Sequence, residues 1–552
     1  MDGAQRIAKG SGNCADGNSD VRESQPRIRG PAGTLHNYFA PRTRPPIKTE
    51  KQLLKARLED AISQREQLNE AHGPHHALTA SLEEERNRLD DIISHCTAIL
   101  RPIHRLPPEL LSKIFLLCVV ADWESDDSPR NQAPHPLDIR VNPREMPWAL
   151  AQVCQSWRNH ILGTPNLWSF ATIGFPVPRR YVETYDRVVQ TKNHRLRLQL
   201  QRALTRPLTV NIYPPEGHRK DRSIYLLCAQ VAKWKDVRVE LNNRSAGSLS
   251  AIRGLLPSLE SLDITWLGCE QEVASFEVAP HLERLVVSGN PFLSNGSTSL
   301  RLPFLQITDF RWYNDNTSPP TPVSQHLLLS QLQNLEKCEL LLDTRCIEEY
   351  HKYSNQQPLI ISLLRLQELE LVDNRGVSGV HVILSWIRAP SLTKLTISSS
   401  GTTRTPFLSF FLHPENLASL TIRNVEMASP EFGAVLAMLT SLTELSFGVD
   451  GGITDTYLRL FCGKEAETEK FSAVPRLQNL SLLAIAGIVS SFSEDTLLDM
   501  LEARRRKGAP SAASERRLMS VQLGLHLVTK SAQERLDELR AAGLRVRAPV
   551  EK

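Results

Sequence analysis

The sequence has 552 residues, with 65 Lys and Arg against 61 Asp and Glu and a formal net charge of +4. Hydrophobic residues make up 41% of the chain and charged residues 23%, which is the usual mixture of a globular protein. This composition excludes a wholly disordered chain, a collagen and a disulfide-dense mini-protein. Because proteins that bind nucleic acids concentrate basic residues on one face, so small a net charge gives little support for that class, and we expect no nucleic-acid partner.

No segment has the length and apolarity of a membrane span. The longest apolar run, Ile114 to Ala121, has eight residues, whereas a spanning helix needs about 20. The N-terminal residues lack the apolar core of a secretory signal, and the nine cysteines are scattered and never spaced as Cys-x-x-Cys. We therefore expect reduced thiols, a cytoplasmic or nuclear location, no membrane partner, and no metal or other cofactor.

The N-terminal region divides into two parts by composition. Residues 1–50 are rich in Gly, Ser, Asn, Arg and Pro, which predicts a disordered tail. Residues 51–101 are predicted to be helical, with a break at Gly73-Pro74. Apolar residues recur at helical spacing before the break and at heptad spacing after it: Leu54, Leu58, Ala61 and Leu68, then Leu82, Leu89 and Cys96. Self-association as a coiled coil and packing against the next domain both remain open, since two interrupted stretches are short for a coiled coil.

The sharpest local pattern lies within residues 102–170. Leu106 to Phe115 reads Leu-Pro-Pro-Glu-Leu-Leu-Ser-Lys-Ile-Phe and predicts an amphipathic helix. Pro108 suits a first helical turn, where its missing N–H removes no hydrogen bond, and Glu109 complements the helix dipole there. A second helix is predicted from about residue 147 to 162, and the acidic, Pro-rich stretch at 122–147 is predicted to be a surface loop between the two.

These two helices together resemble the F-box family. Its signature is Leu-Pro-x-Glu-Leu-Leu-x-x-Ile-Phe followed by Val-Cys-x-x-Trp-Arg, and the second half stands at 153–158. Pro-Asn-Leu-Trp at 165–168 is also typical of F-box proteins in mushroom-forming fungi. The resemblance covers about 60 residues of the 552 and implies a helical module that docks on the Skp adaptor of a cullin-RING ubiquitin ligase.

The resemblance also implies which residues contact the adaptor. The implied adaptor-binding residues are Leu106, Pro107, Pro108, Glu109, Leu110, Ile114, Phe115, Val153 and Trp157. Among them, the apolar side chains of the first helix would form an exposed ridge in the free protein, and contiguous exposed apolar surface marks a partner site. The alternative is that these side chains fill an internal core.

The C-terminal part is periodic. A Leu-x-x-Leu-x-Leu/Ile pattern begins at Leu259, Leu282, Leu335, Leu366, Leu392, Leu417, Leu442 and Leu477, with weaker copies at Trp234, Leu305 and Leu518. Successive first positions are 23 to 41 residues apart. The pattern resembles a leucine-rich repeat and predicts a solenoid over residues 200–550, with parallel strands on a concave wall. The fold class is therefore predicted as α/β: a small F-box module, preceded by a helical segment and followed by this solenoid.

Residues between the core positions would face outward on that wall. The candidates for binding a target protein are Asp263, Arg284, Lys337, Glu339, Glu368, Glu370, Lys394, Arg423 and Glu444. The alternative is a solvated face stabilised by charge pairs between strands. The basic run Arg504 to Lys507 is predicted to be a solvated helix end, with a nuclear address as the alternative.

Motifs for catalysis are absent from the sequence. It contains no phosphate-binding Gly-rich loop, no Gly-x-Ser-x-Gly and no His-Glu-x-x-His, so we expect no enzymatic activity. Two functions remain. One is a substrate receptor that binds the Skp adaptor and, through it, cullin, while its repeats bind an unknown target protein. The other is a leucine-rich-repeat scaffold for protein interactions that is not coupled to ubiquitination.

Overall fold

A computed structural model gives the fold of part of the chain. It describes residues 48–70, 80–100, 103, 106–125, 146–173, 185–213, 223–291, 299–313, 322–342, 360–373, 379–399, 416–425, 427–449, 452–463, 473–483, 492–505, 517–523 and 529–547. The predicted tail up to residue 47, the Gly73-Pro74 break and most of the predicted inserted loop lie outside these residues.

The described residues contain fourteen α-helices. They are α1 (Lys48–Glu70), α2 (Ala80–Leu100), α3 (Pro108–Ser125), α4 (Leu150–Val153), α5 (Gln155–Leu162), α6 (Tyr185–Ala203), α7 (Ser223–Cys228), α8 (Asn243–Leu249), α9 (Pro322–Gln331), α10 (Gly379–Trp386), α11 (Ser429–Met438), α12 (Asp455–Arg459), α13 (Glu494–Arg505) and α14 (Lys530–Ala541). None of these helices combines the length and hydropathy that a bilayer span requires.

Fourteen strands form one sheet. They are β1 (Phe170–Ile173), β2 (Leu208–Ile212), β3 (Trp234–Leu241), β4 (Ser261–Trp266), β5 (Arg284–Ser288), β6 (Asp309–Tyr313), β7 (Lys337–Leu342), β9 (Glu368–Asp373), β11 (Lys394–Ser399), β12 (Ser419–Val425), β13 (Glu444–Val449), β14 (Asn479–Leu482), β15 (Ser520–Leu523) and β16 (Arg545–Arg547). Two short strands, β8 (Ile361–Ser362) and β10 (Ile387–Arg388), pair separately. Neighbours in the large sheet follow chain order and every pair is parallel, as the repeats predicted.

The chain divides into two compact units, with the boundary inside α3. The first comprises Met1–Leu111 with Leu150–His160, and the second Ser112–Ala149 with Ile161–Lys552. In the first unit, α1 and α2 pack as an antiparallel pair, since Arg65 Nη1 lies 3.2 Å from Asp90 Oδ1 and Arg57 acts electrostatically on Cys96. The buried positions of the pair are residues that the sequence patterns selected: Leu54, Ala61, Leu89 and Cys96. The apolar stripes of α1 and α2 therefore cover each other within one chain.

Alternating burial along the strands places every second side chain in the core. On β4, Leu262 and Ile264 are fully buried, and Leu262 is in register with Leu285 of β5. The ladder repeats at the start of the strands: the Thr393 carbonyl accepts the backbone N–H groups of Ala418 at 2.8 Å and Ser419 at 2.9 Å. The same pair of hydrogen bonds ties each strand of the large sheet from β4 to β15 to the next.

One predicted repeat was placed two residues too early. Leu305 is 61% exposed, whereas Ile307 is fully buried and Phe310 pairs in register with Leu285. The copy therefore begins at Ile307. Leu305 lies in the 3₁₀ turn Phe304–Gln306, which precedes the strand.

The sheet also begins earlier than predicted. Its first strand starts at Phe170 rather than after residue 200, and β1 and β2 pair in register with β3. Neither β1 nor β2 contains the leucine pattern, because Ala171 and Val210 occupy the central core positions. A search for leucine-based repeats therefore does not detect either strand.

The core lies between the buried face of the sheet and the helices. In α11 and β13 the rings of Phe432 and Phe447 are 5.2 Å apart, and Phe447 is 5.8 Å from Phe461. The prediction that Arg504 belongs to a solvated helix end was wrong. Arg504 is 4% exposed, and its guanidinium donates to the carbonyls of Phe461, Ala473 and Val474 at 2.6 to 2.9 Å.

Candidate functional site

The predicted helix of the two-part motif forms as α3. The Pro107 carbonyl accepts the N–H groups of Leu110 at 3.0 Å and Leu111 at 3.1 Å, which closes the first turn. Pro108 and Glu109 occupy the first turn and are exposed, as is Pro107, while Leu106 is half-buried. The helix start is therefore fixed by residues that the motif contains.

One face of α3 is apolar and exposed. Leu110 is 45% exposed, Ile114 36% and Leu117 69%, and their spacing of four and three residues places them on one side of the helix. The described part of α3 thus carries an exposed apolar stripe, which we call the α3 stripe. Leu117 belongs to it, although the motif did not select that residue.

Phe115 does not belong to the α3 stripe. It is 1% exposed, and Val119, one turn further on, is 3% exposed. Since consecutive residues point about 100° apart around a helix, Phe115 faces away from the stripe. The prediction that Phe115 belongs to the exposed apolar ridge was wrong, because its side chain is part of the interior.

The second half of the motif spans α4 and α5. Val153 is 58% exposed and Trp157 is half-buried, with its backbone N–H 3.4 Å from Cys154 Sγ. Arg158 Nε donates to the Ala151 carbonyl at 2.9 Å and ties the two short helices together. Val153 therefore has accessible apolar surface, whereas Trp157 is only partly accessible.

The predicted target-binding charges lie on the outward face of the sheet, and three of the nine pair with each other. Lys337 Nζ lies 2.8 Å from Glu368 Oε1, and Lys394 Nζ lies 3.4 Å from Glu368 Oε2. The hydrogen bond from Lys337 is the main reason that the pKa of Glu368 is below its ordinary value. These three charges form a ladder across β7, β9 and β11.

Four further predicted residues also have partners. The contacts are Arg238 Nε to Asp263 Oδ2 at 3.0 Å, Arg284 to Asp236 at 3.8 Å, Arg311 to Glu339 at 3.6 Å, and Asn479 Nδ2 donating to Glu444 Oε1 at 3.2 Å. Glu370 and Arg423 have no ion pair or hydrogen bond within the described residues. Most of the predicted charges on the outward face are therefore paired with a residue on a neighbouring strand. Within the described residues, Glu370 and Arg423 have no such partner.

A groove runs along the outward face of β2 to β6. It has a volume of about 260 Å³ and is lined by outward residues of these five strands and by Trp123 of α3. Trp123 also meets Phe170 of β1 edge-on, with 5.6 Å between ring centroids. The C-terminal end of α3 therefore lies against the first strand. No sequence pattern indicated this contact, because the residues are far apart in the chain.

Burial disfavours two polar groups in this groove. Asn211 is fully buried, and neither atom of its amide has a hydrogen-bond partner within the described residues. Burial raises the pKa of Asp236 above its ordinary value, and this effect outweighs the attraction of Arg284. The sequence analysis selected neither Asn211 nor Asp236.

Five of the described thiols show the opposite of activation. Burial raises the pKa of Cys96, Cys269 and Cys462, and raises that of Cys228 to about 11. The pKa of Cys338, which is 3% exposed, is raised further still. A nucleophilic thiol needs a lowered pKa. Within the described residues, no group of three or more His, Cys, Asp or Glu side chains has metal-site geometry.

Comparisons with known proteins add little. No protein-family model matches the chain, and no curated protein matches it. One similar solved structure is a protein from Bacteroides fragilis, at 11% sequence identity, covering 67% of this chain and 82% of that chain with a TM-score of 0.26. Neither the fold described above nor the function proposed below rests on that similarity.

Proposed function

We propose that this chain is a substrate receptor of an SCF-type cullin-RING ubiquitin ligase. Residues of α3 to α5 bind the Skp adaptor, and the outward face of the sheet binds a target protein. The chain itself carries out no chemistry. It brings a target close to a ubiquitin-conjugating enzyme, and the rate increases through effective concentration.

The observation that carries the proposal is the α3 stripe. Leu110, Ile114 and Leu117 are 36% to 69% exposed on a helix whose opposite side, at Phe115 and Val119, is buried. A helix with one side in the core and an apolar stripe left in water has surface suited to a partner. The F-box resemblance supplies the partner's identity, and the Pro-Pro-Glu turn at the helix start supports it.

The adaptor-binding residues on this proposal are Leu106, Pro107, Pro108, Glu109, Leu110, Ile114, Val153 and Trp157, with Leu117 added and Phe115 removed. Within the sheet, Glu370 and Arg423 are the first candidates for target contacts, because their charges are not engaged within the described residues. The paired charges, such as Glu368, contribute to the solvated face. They contact a target only if they break their ion pairs within the sheet.

The test is co-purification of the full chain with a fungal Skp adaptor. We expect wild type to retain the adaptor and the double variant Leu110→Glu, Ile114→Lys to lose it by at least tenfold in affinity. Arg197→Glu is the control, since it reverses a charge at an exposed position of α6, outside the region α3 to α5. The variants must keep the wild-type helical circular-dichroism signal, so that lost binding is not lost folding.

A wild-type chain that does not bind the adaptor, while it remains folded, contradicts the proposal. The same holds if the double variant binds as well as wild type. Either result favours the alternative of a leucine-rich-repeat scaffold that acts without ubiquitination.

A further inference from the structure

The groove on β2 to β6 has the dimensions of an extended peptide site. Register pairs Thr209, Asp236, Ser261, Arg284 and Asp309 in one row across the five strands. Four steps of about 4.8 Å between strands give a row about 19 Å long. An extended chain of about six residues has that length. Trp123 lines the same groove and is anchored against Phe170 of β1.

Asn211 is the unusual residue of the groove. It lies in an outward row, in register with Thr172 of β1 and Arg238 of β3, yet it has no exposed surface. A primary amide offers two donor hydrogens and an acceptor oxygen, and neither Nδ2 nor Oδ1 is used within the described residues. Buried polar groups are almost always hydrogen-bonded, so a residue that departs from this rule at a groove indicates a missing partner.

Asp236 is the second polar group disfavoured by burial. It lies half-buried on the strand next to Asn211, with a hydrogen bond from Thr209 and with Arg284 as an ion-pair partner at 3.8 Å. Its pKa is raised chiefly by burial, so the carboxylate is less stabilised than in water. A cation or a hydrogen-bond donor from a ligand would offset that desolvation.

We propose that the groove binds an extended segment of the target protein that carries a carboxamide and a cationic side chain two residues apart. On peptide binding the side chains that cover Asn211 move aside, and its amide exchanges hydrogen bonds with the carboxamide. Asp236 pairs with the cation, and Trp123 supplies an apolar wall. Asn211 and Asp236 are one strand and two residues apart, or about 8 Å between Cα atoms. Side chains at positions i and i+2 of an extended chain lie on one side, about 6.6 Å apart. This inference rests on the proposed function, because it names what the target platform recognises.

The experiment measures binding of the full chain to fluorescein-labelled, acetylated heptapeptide libraries with random flanking residues. The probes have Gln-x-Lys or Lys-x-Gln at the centre, and the reference libraries have Leu-x-Lys and Gln-x-Glu. We expect at least a tenfold preference for a probe library over both references. Equal binding of all four libraries, including equal absence of binding, overturns the inference.

Variants separate a ligand role of Asn211 from a structural role. Asn211→Leu should lose peptide binding by at least tenfold while its thermal midpoint stays equal to wild type or rises, because an unpartnered amide has been removed. Asn479→Leu makes the same change on β14, where the amide is hydrogen-bonded to Glu444 and Ser520, and should leave peptide binding unchanged. If Asn211→Leu unfolds more easily and still binds, the amide is structural and the inference fails.

Adaptor binding, measured on the same samples, separates this inference from the proposed function. Asn211→Leu should bind the Skp adaptor as wild type does. If the chain selects the peptides but does not bind the adaptor, the proposed function is contradicted and peptide binding in the groove is supported. If the chain binds the adaptor but does not select the peptides, only the peptide-binding inference is contradicted.

Discussion

The guanidinium of Arg202 stacks on the indole of Trp168, with 4.4 Å between Arg202 Cζ and the ring centroid. The same guanidinium lies 4.8 Å from the ring of Trp148, and the two indoles are 4.9 Å apart and almost perpendicular. Trp168 Nε1 also donates to the Ile161 carbonyl at 2.9 Å. These contacts join α6 to the end of α5 and to the residues before β1, where the sheet begins.

Replacing Arg202 tests that cluster. Arg202→Ala should lower the free energy of unfolding by about 1–2 kcal/mol, the range of a partly desolvated cation–π contact. Urea unfolding followed by tryptophan fluorescence measures it. Arg197→Ala is the control, since Arg197 is exposed on the same helix, and a change equal to that of Arg202→Ala would show that the stacking contributes nothing.

Arg504 should be among the most sensitive residues of the sheet's C-terminal end. Arg504→Leu removes the guanidinium donor from three buried carbonyl groups, of which only that of Val474 keeps another donor, the Leu477 N–H. It should lower the free energy of unfolding by about 3 kcal/mol or more. Arg517→Leu, at an exposed position, should change it by less than about 0.5 kcal/mol. Equal effects in thermal unfolding would contradict the assignment of Arg504 to the interior.

The charge ladder predicts a small pH-dependent contribution from Glu368. Because the folded-state pKa of Glu368 lies below its ordinary value of 4.5, the stabilisation is present above that value and is lost as the pH falls through the lowered pKa. The pair is more than one-third exposed, so the contribution is a few tenths of a kcal/mol. Glu368→Gln should be less stable than wild type at pH 7 by this amount, and the difference should vanish at pH 2 and in 1 M salt.

A constant difference across pH and salt would mean that packing, not charge, explains the effect of Glu368→Gln. Glu370→Gln is the matched control. Glu370 is in the neighbouring outward row and has no ion pair within the described residues, so its neutralisation should not destabilise the chain at pH 7.

The register of the sixth strand can be tested by two single substitutions. Ile307→Ala should lower the free energy of unfolding by about 2–5 kcal/mol, because Ile307 is fully buried. Leu305→Ser should be nearly neutral, since Leu305 is 61% exposed. If Leu305→Ser were instead the more destabilising substitution, the repeat would begin at Leu305 and not at Ile307.

Most of the sheet could be predicted from the sequence, because each repeat has to bury the same positions against its neighbours. The error at Leu305 arose from strand periodicity: Leu305 and Ile307 are two residues apart, and a period of two fits either start. Phe115 was misassigned for a related reason, since a motif selects residue types but does not say which side of the helix meets the core.

The groove was beyond sequence reasoning. Asn211 is on an outward row of β2, where alternation predicts an exposed side chain, and its burial depends on contacts with residues distant in the chain. Trp123 lies inside the stretch predicted to be a loop, which was wrong at this end because α3 continues to Ser125, and nothing local indicates the contact of Trp123 with Phe170. Such contacts come from tertiary packing, which periodicity does not report.

The central claim is that the α3 stripe is an adaptor-binding surface. Amide hydrogen exchange of the full chain, with and without a saturating fungal Skp adaptor, tests it most directly. We expect slower exchange at residues 106–118 and 150–160 on adaptor addition, with unchanged exchange at β7 to β13. Binding with no protection at 106–118, or no binding of the folded chain at all, would contradict it.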